Sequence, residues 1–331
     1  MATINELSGP STRSVLLVHG RDFKPGREAY MDISMAAMRA GVERDYPLQL
    51  QSFDAVHKHV AWYGDLNAEV LLRHGKSYDA ELDLGDRRNA LDMLGKVAPR
   101  KRFGIRQYDQ LPGKSAVAEF VAGVSAPLLG AVGLAMPLIG SVAKDFGAYF
   151  NDKLHIKDKV RERVRAELCE LLDRDDRILL IAHGTGSVVA YDVLWQLSHE
   201  PEFKESYANR KIELFVTLGS PLSDRSVQKR LCGAKEKAER RFPTNIISWF
   251  NVAAEDDYCC HDNNVADDFK MMLKHRQVSA VYDYKVFNLA VRYGKSNPHS
   301  SVGYFIHPRV SKILADWLQS DAKVTSPKYT F

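Results

Sequence analysis

The sequence predicts an α/β protein: a mostly parallel sheet flanked by helices, with a helical lid or cap inserted between the two halves of the core. Three observations predict it. Apolar runs at residues 14–18, 178–182 and 212–218 are continuous rather than alternating, as in strands buried on both faces. Stretches with helical spacing lie between the strands, which makes βαβ units. Sharp, glycine-bearing turns follow the strands at His19–Gly20, at His183–Gly184–Thr185–Gly186 and at Gly219–Ser220–Pro221.

The first strand, residues 14–18, runs into His19–Gly20. A helix over 28–45 follows, with Tyr30, Ile33, Met35, Met38 and Val42 on its apolar stripe. Residues 48–53 alternate as a second strand, and Val60–Ala61–Trp62–Tyr63 fits a loop over its end. Strands are also expected over 177–182, 212–218, 245–252 and 281–290, and a closing helix over 310–318. The 331 residues can bury one large core or two modest ones. Residues 1–64 and 177–331 form the expected core, and 65–176 the insertion.

That insertion holds a charged stretch at 81–106, an uncharged run at 120–143 broken by Pro127, Pro137 and four glycines, and an amphipathic helix at 157–172. The uncharged run reads as a lid over the site. Contact with a membrane surface and a true membrane span are its other readings.

The segment from Arg177 to Tyr191 reads as strand, tight turn and helix. It resembles the nucleophile elbow of the α/β-hydrolase superfamily, in its bacterial lipase- and esterase-like members, where a small–His–Ser–x–Gly turn holds the reactive serine. Gly184 occupies the serine position. The central residue of such a turn needs positive φ, which strains a non-glycine backbone by about 1–3 kcal/mol. Glycine takes it freely. Ala182 and Gly186 are small enough for strand and helix to pass closely. No neighbour replaces the hydroxyl: Thr185 points elsewhere, Ser187 lies one turn along the helix, and His183 packs.

The resemblance implies an acid and then a histidine further along the chain. Asp257, with Asp256 as the alternative, follows the strand at 245–252. His299 follows the last strand, with His307 as its rival. His19–Gly20 resembles the oxyanion turn of the family, so the backbone N–H groups of Arg21 and Thr185 would form the hole. His19, Gly20 and His183 are candidate substrate contacts. The Arg21 guanidinium could instead position an anionic group or pair with Asp22. Gly219–Ser220–Pro221 matches the lipase-like turn beside the site, with Ser220 structural.

Two functions stand open. One is hydrolysis of an ester, thioester or lipid-like acyl substrate, with water in the space of the absent hydroxyl, His299 as base and Asp257 orienting it. The other is a catalytically inactive pseudo-hydrolase that binds a hydrophobic ligand or a partner.

Composition narrows the rest. The net charge of +4 comes with no basic arm, so nucleic acid is not an expected partner, and the mixed charges at 235–241 read as a solvated helix face. The polar N-terminus lacks the apolar core of a signal peptide. Four cysteines make no disulfide framework, which fits a reducing cytoplasm. No P-loop lysine is present, and Gly184–x–Gly186 is too short for a dinucleotide fingerprint, so no cofactor is expected. Cys259–Cys260–His261–Asp262 invites a metal reading. Adjacent residues on an extended chain point to opposite sides, and no second Cys/His pair has zinc spacing, so no metal is expected.

Overall fold

In the computed structural model, residues 12–97, 103–113, 147, 149–150, 155–260 and 264–320 are described. Six strands, β1 (Arg13–Val18), β2 (His57–Ala61), β3 (Arg177–His183), β4 (Ile212–Leu218), β5 (Ile246–Ala254) and β6 (Ala280–Val286), form one sheet in the order β2-β1-β3-β4-β5-β6. Every pairing is parallel. Parallel neighbours need crossover connections, and helices supply them. Among the helices, α1 (Arg27–Asp45), α2 (Ala80–Gly95), α3 (Ile156–Asp173) and α4 (Gly186–His199) lie between strands, and α5 (Ser301–Phe305) and α6 (Pro308–Gln319) follow the last strand of the sheet. The chain is an α/β protein with a parallel central sheet.

The continuous apolar runs have a simple cause. Successive side chains of a strand point to opposite faces, and both faces here are covered. Leu16, Val18, Leu180 and Ala182 join Val164 and Leu168 of α3 and Val188 of α4 in one layer. Val15, Leu17, Leu179 and Ile181 join Met38 of α1 and Leu314 of α6 in the other. Burying each such side chain contributes about 1.5–3 kcal/mol.

A buried ion pair ties α3 to α4. Arg161 meets Asp192, and Tyr149 donates to the same carboxylate at 2.6 Å. The helix expected over 157–172 is therefore packed into a layer of the core.

Two local expectations need correction. Residues 48–53 are not a strand; they fall in a 3₁₀ turn (Pro47–Gln49) and a short helix (Leu50–Asp54). Their apparent alternation is a helical turn that buries Phe53 and leaves Leu48 91% exposed. The strand is β2 instead, and it takes in Val60 and Ala61, expected in a loop. Its first residues are polar because it is the edge of the sheet, where burial begins only at Val60. The last strand also ends earlier than residue 290, at Val286. The run expected to form a lid, 120–143, lies outside the described residues.

β1 has β2 on one side and β3 on the other, so the connections leaving β1 and β3 diverge. In open α/β sheets that switch point, outside the carboxyl ends of the strands, is where ligands bind. His19–Gly20 and His183–Gly184 sit there.

Candidate functional site

β3 ends in a turn at which Gly184 has φ of +55°. Its N–H donates to the Leu218 carbonyl at 2.8 Å, so the turn is pinned to β4. α4 then starts directly over β1. A Cβ on Gly186 would lie 2.4 Å from the His19 carbonyl oxygen and 2.8 Å from that of Val18, so only glycine allows this crossing. The same closeness holds at Gly20, where a Cβ would approach the His183 carbonyl oxygen to 2.8 Å and the Thr185 nitrogen to 3.5 Å. The turn after β1 and the turn after β3 therefore abut, which brings the backbone at Gly20–Arg21 beside that at Gly184–Thr185.

Asp257 and His299 arrive from two distant loops and meet at this point. His299 Nδ1 lies 3.0 and 2.9 Å from the two Asp257 carboxylate oxygens. Tyr304 donates its hydroxyl to Asp257 Oδ2 at 2.8 Å, and the Cys259 N–H donates to Oδ1 at 3.0 Å. The Tyr304 hydroxyl in turn accepts from the Ala254 N–H at 2.8 Å, at the end of β5. Because Asp257 takes Nδ1, Nε2 faces the elbow. A Cβ built on Gly184 would lie 3.0 Å from Nε2. Gly219, at φ of +57°, gives the pair room, since a Cβ there would come within 2.7 Å of Asp257 Oδ2.

Burial alone would raise the Asp257 carboxyl. The His299 charge and the hydrogen bonds from His299, Tyr304 and the Cys259 N–H hold it below the ordinary carboxylate value. Burial alone would lower the His299 imidazole. The adjacent Asp257 charge, with a further contribution from Cys259, lifts it to about 10. Both shifts favour the ion pair, an imidazolium held on a carboxylate.

Asn288 fixes the loop that carries His299. It is fully buried and donates both amide hydrogens, to the Pro298 and Ser300 carbonyls at 2.9 Å each. Its Oδ1 accepts from the Ala290 N–H at 3.1 Å. Gly303 lets α5 press onto this amide, because a Cβ there would overlap Asn288 Oδ1.

The other sequence candidates fall out as follows. Asp256 does not meet His299; it is half-buried, at φ of +59°, and accepts from Tyr108 at 2.8 Å. His307 caps α6, accepting from the Arg309 N–H at 3.0 Å. His183 lies against His299, with ring centroids 4.6 Å apart, and its Nε2 donates to the His299 carbonyl at 3.1 Å. His19 is fully buried, stacks on Tyr63 at 3.9 Å and accepts from the Tyr63 N–H at 3.1 Å. Burial holds its pKa down to about 3, so it stays neutral. Ser187 donates to the Gly184 carbonyl at 2.6 Å and shares a hydrogen bond of 2.6 Å with Ser220. Both hydroxyls are buried and spent on the turn.

A cavity of roughly 160 Å³ opens over His299 and His183. Arg21, Lys24, Arg87 and Arg292 line it, with Asp22 and Asp86 as the acids. The Arg21 side chain is 8% exposed and lies 3.4 Å from Asp22.

Asp257, Cys259 and His299 bring ligand-type atoms within 4.8 Å of one another. They could hold a metal ion, but only by displacing His299 Nδ1 and the Cys259 N–H from the carboxylate, whose contacts already account for the arrangement. His261 and Asp262 lie outside the described residues.

Tyr304 and Asn288 carry no motif and were not expected at the site. A lone amide inside the apolar run Phe287–Asn288–Leu289–Ala290 is the one signal that could have marked Asn288. Comparison of the chain with family models, with curated proteins and with solved structures finds no match.

Proposed function

We propose that the protein is a small-molecule-binding member of the α/β-hydrolase type, with a site that keeps the acid–histidine pair and the oxyanion turns but has no nucleophile. One observation carries this reading: the point where a nucleophile would leave the elbow lies 3.0 Å from His299 Nε2. Real Cβ contacts that close require the imidazole to give way. The imidazole has thus closed onto the space of the missing side chain. The Asp257 charge also raises its pKa, which disfavours the neutral, proton-accepting form. A site without a nucleophile and with a disfavoured base binds rather than turns over.

The strand order and the placement of Gly184, Asp257 and His299 in the chain order of that superfamily support the fold assignment. The Arg21 and Thr185 N–H groups, beside the first turn of α4, supply the donors that would hold a ligand oxygen. The four cysteines are free thiols, which supports a reducing compartment.

Direct hydrolysis is the second reading: His299 Nε2 faces the bend at Gly184, and a water in the space of the absent hydroxyl would meet it there. Its expected rate is low, because residual catalysis without a triad member reaches only about 10³–10⁴-fold over water. Turnover of p-nitrophenyl acetate and butyrate by the native chain decides between the two. The binding reading expects no turnover above buffer. Turnover that disappears in His299→Ala would overturn it in favour of hydrolysis.

A further inference from the structure

We infer that the ligand of this cavity carries a compact anionic group, a carboxylate or a phosphate, bound by the cations that converge over His299. This inference rests on the cavity being a binding site, and it adds the chemical class of what is bound.

The cations come from three separate parts of the chain. Arg21 and Lys24 stand on the loop after β1, Arg87 on α2, and Arg292 in a short strand (Val291–Arg292) of a small hairpin after β6. Their carboxylate partners are arranged unevenly about the cavity. Asp83 pairs with both Arg87 and Arg292, yet it lies behind them with a side chain only 1% exposed. Asp257 likewise lies fully buried behind His299. Positive groups thus face the cavity while two of the balancing negative groups sit in the second layer. Two acids do line it, Asp22 at 3.4 Å from Arg21 and Asp86 at 3.3 Å from Arg292 Nε, against the four cations and His299.

Charge held this way is stable before a ligand arrives, because each buried cation already has a partner. The guanidinium groups of Arg21, Arg87 and Arg292 line one space. Guanidinium groups suit planar bidentate recognition of carboxylate or phosphate. The imidazolium of His299 adds a further donor on the same side. Ala90 and Val291 are the apolar side chains among the described residues that line this cavity.

The test titrates the full chain with sodium acetate, inorganic phosphate and the neutral isostere acetamide, following the His299 and His183 ring resonances by NMR. Saturable shifts with acetate or phosphate, and none with acetamide at equal concentration, are expected. Phosphate alone saturating identifies a phosphoryl group, and acetate alone a carboxylate. Arg292→Gln is expected to weaken the bound anion at least about tenfold, and the wild-type comparison with acetamide stands even where that variant fails to fold. Equal response to acetamide, or no saturable response to either anion, would overturn the inference. Ester turnover measured in the same samples separates the two claims. Turnover suppressed by a bound anion keeps the anion site and removes the non-catalytic reading, whereas silence in both assays removes the anion site alone.

Discussion

The Cα–Cβ direction of Gly184 points at Nε2 of His299, and the two would be 3.0 Å apart if a Cβ were present. A serine there must hold φ near +55° and push the imidazole back by a few tenths of an ångström. Gly184→Ser is therefore expected to cost about 1–3 kcal/mol. Its thermal midpoint should fall by roughly 2–4 °C per kcal/mol. An unchanged or higher midpoint in calorimetry would count against the turn as described.

Asn288 holds His299 through its neighbours on both sides. Asn288→Ala removes both donated bonds; the Ser300 carbonyl keeps the Tyr304 N–H at 3.1 Å, while the half-buried Pro298 carbonyl loses its Asn288 donor. A loss of about 1–3 kcal/mol in urea unfolding is expected. Faster amide exchange at residues 299–301 and a broadened His299 ring signal should accompany it. A plain loss of stability with an unaltered His299 signal would mean that Asn288 supports the core and not the site.

The raised imidazole sets a pH dependence. His299 moves from 6.5 to about 10 on folding. A group whose folded value is higher stabilises the native state fully below its unfolded value, and that contribution is lost as pH rises through the folded one. Wild type should therefore lose stability between about pH 7 and pH 10 more steeply than His299→Gln. Asp257 runs the other way: its contribution is present above 3.8 and is lost as pH falls through its depressed value. Parallel stability curves for wild type and His299→Gln would contradict the coupling.

The Arg161–Asp192 pair is a different kind of contact, because both side chains are buried between α3 and α4. Removing one partner strands the other charge. Asp192→Ala is expected to destabilise by about 3–5 kcal/mol. Chemical denaturation measures this, and a loss below about 1 kcal/mol would place the pair among solvated surface contacts.

Much of the fold and part of the site were legible in the sequence, for physical reasons. Strands buried on both faces announce themselves as unbroken apolar runs, so β1, β3 and β4 were readable. β2 was not, because an edge strand keeps polar side chains on its open end, His57 and Lys58 among them. Gly184 and Gly186 were readable because positive φ and a close crossing each demand glycine. His299 and Asp257 were named from position in the chain, with Asp256 as the second choice; the two acids are adjacent, and Asp257 is the one that meets His299. The cationic lining was illegible beyond Arg21, because Lys24, Arg87 and Arg292 converge only through tertiary folding.

The most direct measurement is fluorophosphonate labelling of Gly184→Ser, located by mass spectrometry, with Gly184→Ser/His299→Ala as the control. A bend at 184 that faces an aspartate-held imidazole should become reactive once given a hydroxyl. The expected result is a label at position 184 in the single variant, its loss in the double variant, and no label on the native chain. A folded Gly184→Ser chain that takes no label at 184, or takes it equally without His299, would contradict the shared site.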